Sequence, residues 1–139
     1  DLIEKDSNTH KALEQETRNK LAPFSDVPIL FTSVTQKVRI YKTLEVATEV
    51  FKNRSRRIPT SQLNNDLLPI IQKTPPPSHK GKYIKIKYVT QLPAAFPAFA
   101  IFCNFPKYVK ESYSRFIENQ IRSLYDFTGV PVEIYFREK

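Results

Sequence analysis

The sequence has 139 residues, with ten Phe, seven Tyr, no Met and a single Cys. A hydrophobic content of 40% supplies a core and excludes a disordered tract, and the lone Cys103 excludes an internal disulfide. The net charge of +8 lies wholly in residues 53–139, with fourteen Lys/Arg against six Asp/Glu, whereas residues 1–52 carry eight of each.

The length suits one or two small domains. The absence of Met predicts a fragment or a processed chain. The longest apolar run, Leu92 to Cys103, is too short for a bilayer and is broken by Pro93 and Pro97. No basic leader precedes an apolar stretch, which predicts a cytoplasmic chain without a signal peptide. The charge step predicts two units with different partners, the basic one suited to nucleic acid or an anionic surface. Solubility alone is the other reading.

In chain order, residues 8–21 read as an exposed helix with Leu13, Thr17 and Leu21 on one stripe and Ser7 or Asn8 as cap. Val27 to Ser33 is an apolar run of strand type, with Pro28 at its start. Residues 38–52 return to helical spacing, with Val38, Tyr41, Leu44, Ala47 and Phe51 on one face. One strand between two helices cannot close a core, so this part predicts the last third of an α/β sheet. A basic connector spans 53–59. The next helix has Leu63, Leu67, Ile70 and Ile71 as its apolar face, with Thr60 or Ser61 as cap and Pro69 as its kink or end. Pro75, Pro76 and Pro77 make a stiff linker.

Residues 82–91 predict a half-buried strand in which Ile84, Ile86 and Tyr88 alternate with Lys85, Lys87 and Val89. Residues 98–104 predict a second strand, apolar on both faces. Pro106 falls early in a helix whose broad stripe is Tyr113, Phe116, Ile117, Ile121 and Leu124, ended by Thr128-Gly129. Residues 131–137 predict the last strand, with Val132, Ile134 and Phe136 inward. Residues 60–139 thus read α-β-β-α-β, a compact α+β domain.

The chemistry-bearing residues are scattered. His10, His79 and Cys103 fall in three different elements, so no metal set is expected. Cys103 on a core strand reads as a small hydrophobe and not as a nucleophile. Only Gly81 and Gly129 exist, so a G-x-x-x-x-G-K-S/T phosphate loop is absent from the chain. The basic residues remain: Arg54, Arg56 and Arg57 in the connector, and Lys80, Lys82, Lys85 and Lys87 leading into one strand. Amines spaced two apart on a strand can neutralise successive phosphates without reading bases. A solvated face, or docking of the arginines to carboxylates of a neighbouring domain, are the alternatives. Tyr83 and Tyr88 interleave with the lysines and can stack on bases, although half-buried strand tyrosines are usually structural.

Five segments carry a resemblance. They are D-L-I-E-K-D at the start, N-R-S-R-R-I-P-T-S-Q-L-N at 53–64, P-P-P-S-H-K-G-K at 75–82, I-E-N-Q-I-R at 117–122 and G-V-P-V-E-I-Y-F-R at 129–137. In order and spacing they resemble the C-terminal region of bacterial Der/EngA GTPases, which carry two Era-like G domains and a KH-like domain. The resemblance implies that residues 1–52 are the end of the second G domain and residues 60–139 the KH-like domain. It implies GTP or GDP as the ligand of the full-length family, with no cofactor and no catalytic residue in this chain. Asp1 aligns with the last Asp of the guanine-selecting N-K-x-D motif. Ser33 and Val34 align with the loop whose backbone meets guanine O6, Val34 standing where the family has Ala. The chain has no G-x-x-G clamp, so RNA contact would use Arg54, Arg56, Arg57, Lys80, Lys82, Lys85 and Lys87. The implied partners are rRNA of the large ribosomal subunit and the G domains of the same protein, with no membrane. A docking module without RNA, or an unrelated ferredoxin-like interaction module, are the competing expectations.

Overall fold

The structure, a computed structural model, describes residues 7–22, 24, 26–79 and 81–138. The chain divides into two compact units: Asp1–Asn53 with Thr128–Val130, and Arg54–Phe127 with Pro131–Lys139.

In the first unit, α1 is Ser7–Leu21 and α2 begins at Ile40. Two i,i+4 ion pairs line α1, Arg18 with Glu14 half-buried and Lys20 with Glu16 exposed, and such pairs add little to stability. The strand expected at 27–33 does not form. An extended run becomes a strand only when a partner takes its amides and carbonyls. Here a single bridge between Ser33 and Val38 takes that role. Neither helix buries an apolar side chain, and on α2 the buried residue is Asn53, which donates from Nδ2 to the carbonyl of Thr128 at 3.1 Å. α2 runs to Ser55, three residues into the segment read as connector.

The second unit holds α3 (Thr60–Lys73), β1 (Ile86–Gln91), β2 (Ala98–Cys103), one 3-10 turn (Pro106–Tyr108), α4 (Glu111–Leu124) and β3 (Glu133–Glu138). The sheet order is β1-β2-β3, with β1 antiparallel and β3 parallel to the central β2. This is the α-β-β-α-β order expected from the sequence. One sheet face packs on α3 and α4: Val89, Phe99, Ile101 and Val132 meet Leu63, Leu67 and Ile71 of α3 and Tyr113, Ile117 and Ile121 of α4. Burying each such aliphatic side chain contributes about 1.5–3 kcal/mol.

Four local readings need correction. β1 starts at Ile86, not at residue 82, and carries a bulge: Ile86 faces Cys103 while Tyr88 faces Phe102. The extra residue Lys87 shifts the alternation, so Val89 is fully buried and Tyr88 stacks on Phe102 at 4.4 Å on the other face. Helix α3 continues through Pro69 to Lys73, because Pro69 is on the exposed side, where water satisfies the carbonyl it leaves unpaired. Neither Thr60 nor Ser61 caps α3: Pro59 is the N-cap residue, and the Thr60 hydroxyl pairs with that of Thr90 at 3.0 Å. Gly129 does not end α4, which stops at Leu124 with Tyr125 as cap; its φ of +77° serves a turn whose amide donates to Asp26 O at 3.2 Å.

Candidate nucleic-acid interface

The segment 53–64 works as a fastener. Arg54 donates from Nε to the carbonyl of Ala95 at 2.8 Å, and Arg57 donates to those of Leu92 and Ala94 at 3.0 and 2.6 Å. Both guanidinium groups therefore hold the loop between β1 and β2, and charge-assisted bonds of this kind are among the stronger ones. Arg56 is exposed, and its carbonyl accepts from Gln91 Nε2 at 2.9 Å. Gln91 Oε1 in turn accepts from Ile58 N at 2.8 Å.

Two further amides do the same work. Asn64 accepts from Val89 N and donates to Val89 O, both at 2.8 Å, which closes the outer edge of β1 at that point. Asn104 donates to Tyr83 O at 3.0 Å and accepts from Lys85 N at 2.8 Å. Each side-chain amide thus stands in for a strand neighbour, meeting a backbone donor and acceptor together. Sequence reasoning missed all three. Their only signal was an amide residue at the border of an apolar element.

The lysines separate into groups. Lys80 lies outside the described residues. Lys82 exchanges two backbone hydrogen bonds with His79 across a turn where Gly81 has φ +74°. Its ammonium lies 5.1 and 5.3 Å from the ring centres of Phe105 and Tyr108, while His79 stacks on Tyr108 at 5.1 Å. That cation–π contact ties part of its charge to the fold. Lys85 and Lys87 are exposed and make no ion pair among the described residues. Tyr83 is 82% exposed, whereas Ile84 beside it is 5% exposed.

Of the residues aligned with a guanine site, Asp1 lies outside the described residues. Ser33 is buried in a tight turn, where its hydroxyl accepts from Gln36 N at 3.1 Å; Val34 is 75% exposed. Lys37 and Arg39 adopt φ of +53° and +60° to close that turn. Cys103 is buried, and burial pushes its thiol up, away from the thiolate a nucleophile needs. Among the described residues no group of His, Cys, Asp or Glu forms a metal-ligating cluster, and no helix is long and apolar enough to cross a membrane.

A three-stranded mixed sheet backed by two helices in the order α-β-β-α-β defines a KH-like α+β domain. Residues 57–137 match the family described as the KH-domain-like domain of EngA bacterial GTPase enzymes, C-terminal, and the chain belongs to that family. Its full length aligns with proteins called GTPase Der, at 55% identity over 140 residues in Porphyromonas gingivalis and 51% over 139 residues in Christiangramia forsetii. The relative from Azobacteroides pseudotrichonymphae is 54% identical over 141 residues. The chain spans 32% of the length of each of these relatives.

Proposed function

We propose that this chain is the C-terminal region of a GTP-binding protein of large-subunit ribosome assembly, whose KH-like domain holds rRNA on its basic surface. The observation that carries this reading is the pair Lys85 and Lys87, exposed and without ion pairs among the described residues, in a region bearing the whole +8 charge. Such amines neutralise phosphates and leave base sequence unread. Arg54 and Arg57 are exposed too, and their guanidiniums also bond carbonyls of the loop between β1 and β2. The first unit, by the same reading, contributes the Ser33–Val34 turn to a guanine site completed by the remainder of a G domain. The chain alone then neither hydrolyses GTP nor binds it tightly, since the sequence contains no phosphate loop.

Titration of the chain against a large-subunit rRNA fragment at several salt concentrations tests this. Log affinity is expected to fall with log salt by about 0.7 per phosphate neutralised on single strands. Replacing Lys82, Lys85 and Lys87 with Glu is expected to flatten that slope. Absence of binding at low salt would instead assign the lysines to docking on an acidic protein face. Submicromolar binding of a fluorescent GTP analogue would overturn the statement about nucleotide.

A further inference from the structure

Resting on the RNA reading above, we infer that Tyr83 is a base-stacking residue and that the ligand of this surface is unpaired RNA. An aromatic side chain exposed on a mobile loop carries little meaning, because ordering it on binding costs entropy. Tyr83 is different: its backbone is fixed on both sides.

On one side lies the Gly81 turn, where His79 and Lys82 bond each other's backbone at 3.1 and 2.9 Å. On the other, Asn104 holds the carbonyl of Tyr83 and the amide of Lys85. Between them Ile84 is anchored in the interior at 5% exposure. In an extended backbone, residues two apart leave by the same side. Ile84 is buried while Tyr83 and Lys85 on either side of it are exposed, so a phenol ring and an ammonium flank one inward residue on the solvent side. Tyr83 keeps 82% of its surface exposed. Lys87, the bulge residue of β1, is exposed as well.

The chemistry that fits is a flat π-face next to a phosphate. A base stacks on the ring, and its own or its neighbour's phosphate meets Lys85. Duplex RNA keeps its bases stacked inside the helix and cannot offer one to the ring, so the site selects single strands.

The test uses the full chain and a short fluorescein-labelled oligouridylate, read by fluorescence anisotropy at several salt concentrations. Tyr83→Ala is expected to weaken binding roughly 5- to 150-fold while leaving the salt slope unchanged. Tyr83→Phe keeps the ring and binds as the parent does. Lys85→Glu with Lys87→Glu flattens the slope. Annealing the oligouridylate to oligoadenylate removes most of the affinity. If Tyr83→Ala binds as tightly as the parent while the Lys pair loses affinity, stacking is overturned and the basic-surface reading stands. Equal affinity for the duplex also overturns it. A parent that fails to bind at low salt overturns both readings.

Discussion

At the scale of single residues, the two glycines illustrate how one backbone requirement has two different consequences. Gly81 and Gly129 both adopt the left-handed region, with φ of +74° and +77°. A Cβ at residue 81 meets none of the described residues within 4 Å, whereas one at residue 129 falls 2.6 Å from Val50 Cγ2 and 3.1 Å from Pro28 Cδ. Gly81→Ala therefore incurs only the left-handed penalty, about 1 kcal/mol. Gly129→Ala adds overpacking against a short branched side chain, a further 1–3 kcal/mol or so. Thermal denaturation followed by circular dichroism should rank them in that order, and equal shifts would remove the packing argument. The sequence identified both residues as glycine but said nothing of the neighbours that separate them.

At the scale of elements, two phenols pin α3 to α4. Tyr113 donates to the carbonyl of Thr74, the C-cap of α3, at 2.8 Å, and Tyr125 donates to Asp66 Oδ2 at 2.6 Å. Burial pushes Tyr113 up to about 12; burial first, then the Asp66 carboxylate, pushes Tyr125 up. A phenol whose folded pKa exceeds its unfolded value stabilises the native state fully below about pH 10. For Tyr113 that contribution is lost as pH rises through about 12, by about 1.4 kcal/mol per pH unit. Tyr113→Phe should thus lower neutral-pH stability by about 1 kcal/mol and make urea midpoints fall less steeply between pH 10 and 12. An unchanged alkaline slope would show that Tyr113 ionises freely. The apolar stripes of α3 and α4 were legible from their 3.6-residue spacing. The bulge at Lys87 was not, because Ile84, Ile86 and Tyr88 alternate perfectly and only pairing with β2 reveals the extra residue. The missing strand at 27–33 has the same origin: a strand is a property of two segments, and one apolar run does not name its partner. Likewise the lysines of the candidate surface were visible as charges, but Lys82 over Phe105 and Tyr108 depends on a turn that brings residues 82 and 108 together.

At the scale of the whole molecule, the second unit owns the apolar core, and α2 of the first unit does the opposite. Tyr41, Leu44 and Phe51 are 82%, 63% and 62% exposed and recur at helical spacing along one face. A shallow groove along that face is lined by Tyr41, Leu44, Glu45, Thr48, Glu49 and Lys52. Contiguous apolar surface of this kind is unusual on a folded protein and carries a free-energy cost in water that any apolar contact relieves. The chain is therefore expected to bind the dye ANS and to associate as its concentration rises. Leu44→Glu with Phe51→Glu interrupts the row without touching a buried side chain, so the far-UV spectrum should hold while dye fluorescence falls severalfold. Sedimentation velocity should then give one species at all concentrations. Dye binding that survives the double substitution would place the responsive apolar surface elsewhere on the chain.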